Sequence, residues 1–266
     1  MCNIKNIIKL QKSKKERQLQ KKIFIEGYRE IKMAIINNYY INKIFICKPI
    51  FIKKNKKLYN FITKYKKIEF IKKKNYNKLV YRKNIEGIIG IFKAPQKNYE
   101  KEFINLIKKK KKILFFILDN IEKPGNIGAI IRTIESTNIV DSIIIAGNKD
   151  IYNPNIIRAS LGCVFILSII KLPIHIILKY IVKYNISLFG TTINKNEKSL
   201  YKINFNTYNK IAIIFGNEHS GISKIWFSYI IRQINIPMYG KINSLNVSVA
   251  VSIIIFEILR QIKFKN

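Results

Sequence analysis

The sequence predicts a two-part α/β protein, and three observations carry that prediction. Residues 113–118, Ile-Leu-Phe-Phe-Ile-Leu, form a continuous apolar run of the kind that a strand buried on both faces requires. Comparable runs recur at 142–146, 186–190 and 211–215, with helix-length stretches between them. Strands alternating with helices give a largely parallel sheet. Before residue 94 the pattern differs: the strands are short and β-branched, and lysine-rich helical stretches separate them.

Taken in order, Lys12 to Lys22 predicts a basic helical start. Ile23-Phe24-Ile25-Glu26-Gly27 then leads into a helix over Tyr28 to Ile36. Ile41 to Cys47 reads as a strand by its β-branched content. Lys53 to Lys67 sets Leu58, Phe61, Ile62 and Tyr65 at helical spacing. Ile88 to Phe92 is a last short strand, so residues 1–93 form one small α/β domain. Residues 94–112 read as a linker: Pro95, a short amphipathic piece, then the run Lys108 to Lys112, which is solvated or touches phosphate. The second domain covers 113–266. In it a helix follows from about Asn126, a further buried strand is expected at Val164–Ile169, and a strand stops at Pro237. A final helix begins near Ser244. From Val247 to Phe256 almost every residue is apolar or small, which predicts burial on most sides, in a core or at a subunit interface.

Composition narrows the function. A chain of 266 residues, 48% of them hydrophobic, can bury a real core. No apolar run reaches the roughly 18 residues of a membrane helix; the greasiest stretch, Val164 to Leu178, is broken by Lys171, Pro173 and His175. The first ten residues lack a secretory apolar core. The expectation is a soluble, cytoplasmic protein with no membrane partner. Cys2, Cys47 and Cys163 give no CxxC pair, and His175 and His219 are the only histidines, so no metal is expected. The net charge of +35 calls for a polyanionic partner. Only 7 of the 50 basic residues are arginine, a skew that A/T-rich coding would itself produce. The charge attracts RNA without identifying it as the substrate, and the few arginines carry more weight.

Three segments concentrate chemistry. In the first, Leu118-Asp119 ends a buried strand and Pro124-Gly125-Asn126 turns into a helix with Ile127, Ile130, Ile131 and Ile134 on its sheet face. Gly128 and Arg132, four apart, lie on another face, and Asn126 sits where backbone N–H groups point outward. From this pattern alone an ordinary βα turn with a solvent arginine is the favoured reading. In the second, Gly216-Asn217-Glu218-His219-Ser220-Gly221 follows a buried strand, and two glycines five apart let the backbone wrap tightly. It is neither a P-loop nor GxGxxG. A plain turn is the alternative there. In the third, Ile234 to Gly240 and Ser244 to Val251 bracket a polar loop between strand and helix.

In this order the three segments resemble the motifs of the SpoU/TrmH group of SPOUT methyltransferases. Asp119, Pro124, Asn126, Gly128, Arg132 and Thr133 match the first, Gly216, Glu218 and Gly221 the second, and Ile236 to Ala250 the third. Tyr152 to Gly162 resembles a stretch between the first and second. Residues 5–92, through Phe24-Ile25-Glu26-Gly27, are similar to the family's L30e-like RNA-binding domain. Lys123 departs from the family, in which many members have Asp before the proline. The resemblance implies a trefoil-knotted α/β methyltransferase domain behind an L30e-like domain, working as a homodimer through the last helix.

By the same resemblance, S-adenosylmethionine would be held around Gly216, Ile236, Met238, Leu245 and Asn246. Arg132 would act at a ribose 2′-hydroxyl, with Asn126, Glu218 and Asn246 in catalytic support, and Arg29, Lys123, Arg158 and Ser160 would touch RNA. Arginine holds its proton tightly, so the arginine either acts as a base in an unusual setting or orients a phosphate while another group takes the proton. Ribosomal RNA, with guanosine favoured, is the expected substrate. Transfer RNA is the first rival, and a non-catalytic RNA-binding protein with the same fold is the second. A nucleotide-binding oxidoreductase is disfavoured because GxGxxG is missing.

Overall fold

The computed structural model describes residues 4–54, 56–65, 67–80 and 86–264, with 52–54 and 56–58 as backbone only. In chain order the elements are α1 (Ile4–Lys12), α2 (Lys14–Leu19), β1 (Lys22–Glu26), α3 (Tyr28–Ile36), β2 (Ile41–Ile46), α4 (Lys48–Lys54), α5 (Lys56–Ile62), β3 (Ile68–Phe70), α6 (Lys73–Asn77) and β4 (Ile88–Lys93). They continue as α7 (Tyr99–Lys109), β5 (Ile113–Asp119), α8 (Pro124–Thr137), β6 (Ser142–Ala146), α9 (Pro154–Ala159), β7 (Ile169–Leu172), α10 (Ile174–Lys183), β8 (Ser187–Thr192), β9 (Lys210–Phe215), β10 (Arg232–Asn235) and α11 (Val247–Lys263). The chain divides into two compact units: residues 1–96 with 150–166, and 97–149 with 167–266. No helix among the described residues is long and apolar enough to cross a membrane.

The first unit holds a sheet of order β1-β4-β2-β3, with β4 antiparallel to both neighbours and β3 parallel to β2. Phe24, Phe45, Ile89 and Ile91 from the sheet pack with Ile7 and Leu10 of α1 and with Tyr76. Of the helix expected over Lys53 to Lys67, residues 53–54 are helical in α4 and 56–62 in α5, and positions 55 and 66 lie outside the described residues.

This unit also takes in residues 150–166, which the sequence reading assigned to the second domain. A buried cation anchors the start of this segment. Arg17 is 4% exposed, donates to the Leu10 and Gln11 carbonyls at 2.7 and 2.9 Å, and needs a carboxylate; Asp150 supplies one at 2.6 Å. Tyr152 and Phe165 then close on Tyr39 as a ring cluster. The strand expected at Val164–Ile169 is therefore displaced. Cys163–Phe165 is a 3-10 turn, entered through Gly162 at φ +84°, and the strand forms later, as β7.

The second unit is an all-parallel sheet of order β10-β8-β9-β5-β6-β7. All seven residues of β5 are buried, as its unbroken apolar run requires. Phe115, Ile117, Ile144 and Ile214 pack with Phe103 and Ile107 of α7 and with Ile177, Leu178 and Ile181 of α10. The alternate residues face the other way, where α8 and α11 pack on each other. Most of the expected linker is thus a core helix. Asn98 caps α7 by accepting from the Lys101 N–H at 3.0 Å, with Glu100 and Glu102 in its first turn and Lys108 and Lys109 in its last.

Helix α11 is expected in a core or at a subunit interface, and within one chain its core side is seen. It is buried on one side, through Val247, Val251, Ile254, Ile255 and Ile258, while Val249, Phe256, Ile262 and Phe264 are exposed.

Candidate active site

A parallel sheet gathers the carboxyl ends of its strands on one edge, and loops leaving that edge converge. Here they are the loops after Asp119, Ala146, Thr192, Phe215 and Asn235. Asp119 is fully buried and stitches two of them together: one carboxylate oxygen accepts from the Ser223 N–H at 2.8 Å, the other from the Asn120 side chain at 3.2 Å.

The loop after β9 closes on itself. The Asn217 N–H donates to the Gly221 carbonyl at 2.9 Å, and the Gly221 N–H donates back at 3.0 Å. A Cβ on Gly216 would lie 2.2 Å from the Gly221 carbonyl carbon, so only glycine lets the strands of this loop approach. Asn217, 9% exposed, accepts from the His219 and Ser220 N–H groups and donates to the Asn120 carbonyl at 3.0 Å and to Glu122 at 3.3 Å. The sequence reading missed it. Its signal was the Asx-turn habit of an asparagine that bonds backbone two residues on.

This loop and the stretch before α11 enclose a cavity of about 480 Å³. Ile222, Ile234, Ile236, Met238, Leu245 and Val247 supply apolar walls, while Thr191, Thr192, Gln233 and the backbone of 216–221 supply polar groups. Of the five expected cofactor residues, Gly216, Ile236, Met238 and Leu245 line it; Asn246 stands beside it as the N-cap of α11.

Asn126 from the first turn of α8, Glu218 from the loop after β9 and Asn246 from the N-cap of α11 come together. The Asn126 amide N–H donates to Glu218, and its oxygen accepts from the Asn246 amide at 3.2 Å. The Asn246 oxygen in turn accepts from the Ser248 N–H and hydroxyl at 2.9 and 2.7 Å, capping α11. The chain has one consistent direction, because Glu218 can only accept and a helix N-terminus can only donate. Arg132 is not part of it. It is exposed on α8 and has no hydrogen-bond or ion-pair partner among the described residues.

The expected RNA contacts are dispersed. Lys123 is exposed at the N-cap of α8. Arg29 and Arg158 are exposed in the first unit, Arg158 donating to Asn155 at 3.1 Å. Ser160 is a correction: it is fully buried and its hydroxyl donates to the Ile157 carbonyl at 3.0 Å, so it is not presented to a ligand. No group of three or more His, Cys, Asp or Glu residues that could hold a metal ion is found among the described residues.

Residues 113–256 match the SpoU rRNA Methylase family, over the same loops that build the cavity, and residues 2–90 match the MRM3-like substrate binding domain. The chain belongs to the SpoU rRNA methylase family. As a SpoU-type protein it is an RNA methyltransferase with an α/β parallel-sheet domain behind a substrate-binding domain, the fold class the sequence implied. An uncharacterised tRNA/rRNA methyltransferase of Borreliella burgdorferi is 36% identical over 62% of this chain and 73% of its own length. The 23S rRNA (guanosine-2′-O-)-methyltransferase RlmB of Blochmanniella floridana is 30% identical over 68% of this chain and 71% of its own. A solved RNA 2′-O ribose methyltransferase superposes with a TM-score of 0.82 at 28% identity, covering 97% of this chain and 95% of its own. The SpoU methyltransferase AviRb from Streptomyces viridochromogenes, solved in complex with AdoMet, shares the fold with a TM-score of 0.82 at 21% identity over 98% of each chain.

Proposed function

We propose that this SpoU-type protein moves the methyl group of S-adenosylmethionine to a ribose 2′-hydroxyl of ribosomal RNA, with guanosine as the target, and that it works as a cytoplasmic homodimer. One observation carries the reading: Glu218 lines the cavity and also belongs to the Asn126–Glu218–Asn246 chain, whose Asn246 directly follows the lining residue Leu245, so a ligand in the cavity lies beside that chain. The cavity suits a nucleoside bearing an amino acid, because apolar walls meet polar groups from Thr191, Thr192 and Gln233 and from backbone at the glycine-rich turn. S-adenosylmethionine supplies an electrophilic methyl carbon when bound. The protein must then orient a weak nucleophile and manage its proton.

Arg132, exposed and without a hydrogen-bond or ion-pair partner among the described residues, grips a phosphate of the target nucleotide through its two-pronged guanidinium. Asn126 engages one carboxylate oxygen of Glu218, and the other accepts from the 2′-hydroxyl and takes up its proton. The apolar stripe of Val249, Phe256 and Ile262 on α11 meets its own copy across the dimer. The names of the Blochmanniella relative and of the 28% identical solved enzyme support ribose methylation, and the former supports ribosomal RNA.

The test is nucleoside mass spectrometry of ribosomal and transfer RNA from cells with and without the protein. Loss of one 2′-O-methyl mark from ribosomal RNA is expected. Loss from transfer RNA would move the substrate, and no change in either would overturn the proposal.

A further inference from the structure

A second cavity, of about 270 Å³, opens on the same carboxyl edge over β5 and β6. Leu118, Ile121, Ile127 and Ile145 wall it with hydrocarbon, and Glu122 and Lys149 line it with charge. Glu122 is exposed and Lys149 half-buried, so both charged groups reach solvent and a ligand. They are neighbours: the Lys149 ammonium donates to the Glu122 carbonyl at 3.0 Å. Asn217 forms the partition between the two cavities. It lines the larger one and donates to a Glu122 carboxylate oxygen at 3.3 Å.

We propose that this slot takes the flipped-out base of the target nucleotide, that the base is guanine, and that Glu122 and Lys149 read its edge. The inference rests on the methyltransferase reading and adds how the target is chosen. A pocket holds a base lifted from the stack by packing the ring on apolar side chains and bonding its Watson–Crick edge. Guanine presents two adjacent N–H donors, at N1 and N2, beside the O6 acceptor. A carboxylate accepts both donors and an ammonium donates to O6. Adenine and cytosine would turn a ring-nitrogen lone pair toward the carboxylate. Uracil would offer one donor and set a carbonyl against the second carboxylate oxygen. The partition by Asn217 places the base slot next to the loop that carries Glu218, so the ribose of a seated base is brought to the cofactor side.

The experiment uses ribosomal RNA transcribed in vitro, transfer RNA transcribed in vitro and radiolabelled S-adenosylmethionine, followed by digestion to nucleosides. Label is expected in 2′-O-methylguanosine. In a transcript carrying inosine at the mapped position, which lacks the N2 amine, kcat/KM falls about tenfold or more for the intact protein. Glu122→Gln loses a similar factor on guanosine and no longer separates guanosine from inosine. Lys149→Gln also loses activity on guanosine, and both variants keep the melting temperature and the calorimetric affinity for S-adenosylmethionine. Label in a different nucleoside overturns the slot alone. So does a Glu122→Gln protein that still discriminates against inosine, or one whose affinity for S-adenosylmethionine falls with its activity, since Glu122 would then act by holding Asn217. No label in either RNA overturns the methyltransferase reading and the slot with it.

Discussion

Arg132 shows what a single side chain contributes and what it leaves to its neighbours. It projects from α8 with no hydrogen-bond or ion-pair partner among the described residues, which leaves its guanidinium for the phosphate contact proposed above. Lysine keeps the charge but loses the planar fork that holds two phosphate oxygens at once. Arg132→Lys is expected to lower methyl transfer by about 10² while leaving the calorimetric affinity for S-adenosylmethionine unchanged; near-normal turnover would remove the phosphate role. Gly216 is the opposite case, a residue whose importance is the absence of a side chain. Gly216→Ala must push the Gly221 backbone aside, because the new Cβ would sit 2.2 Å from it. The expected result is a loss of about tenfold or more in affinity for S-adenosylmethionine, read by calorimetry, since the loop would open. At this scale the sequence was legible where a motif marked it. Asn126, Glu218 and Asn246 were found through their motifs, and the structure joins them in one chain. Asn217 escaped because its partners, Asn120 and Glu122, are distant in sequence.

Elements behaved as their local patterns dictate wherever one pattern dominates. The helix over Tyr28–Ile36 and the strand over Ser142–Ala146 begin and end where the sequence placed them. α7 did not, because a short amphipathic piece beside the run Lys108 to Lys112 reads as part of a linker until the sheet is there to bury Phe103 and Ile107. Phe103→Ala is expected to destabilise the protein by about 3–5 kcal/mol in urea unfolding, the cost of an emptied aromatic site in a core. A true linker would lose almost nothing. α11 carries an electrostatic signature of its own. Arg260 donates two hydrogen bonds to Glu257, which holds that carboxyl below the usual range against the opposing effect of burial, with Gln261 adding a third donor. A depressed carboxyl stabilises the fold above the ordinary carboxylate range, and this contribution is lost as pH falls through the lowered value. The urea midpoints of the intact protein and Glu257→Gln should therefore differ at pH 7 and converge toward pH 3. A gap that stayed constant would show that ionisation plays no part.

The whole molecule is strongly cationic, and on this scale charge and exposed apolar surface speak to partners. The net charge of +35 makes RNA affinity salt-dependent whatever its origin. The exposed stripe on α11 is harder to reconcile with a lone chain. Val249, Phe256 and Ile262 are 45%, 51% and 44% exposed on a helix whose other face is core, and Phe264 at its C-cap is 67% exposed. Phe256→Glu is expected to convert a dimer into a monomer in sedimentation equilibrium without loss of secondary structure. A protein that sediments as a monomer before the change would remove this interface.

The sequence by itself determined the alternation of buried strands and helices, the three motif loops and the residues that gather in them, because these are set by local periodicity and by short patterns. It did not place Asp150–Ile166, which looks like the middle of the catalytic domain and packs with the first unit. Only the tertiary structure decided that, since the contacts of this segment with the first unit, Arg17 with Asp150 among them, join residues far apart in sequence, 133 positions in that pair. The same holds for the partition between the two cavities. Asn217 and Glu122 meet only because parallel strands β5 and β9 lie side by side and bring their carboxyl ends to one edge. Periodicity reports which face of a strand is buried; it carries no information about which strand lies next to it.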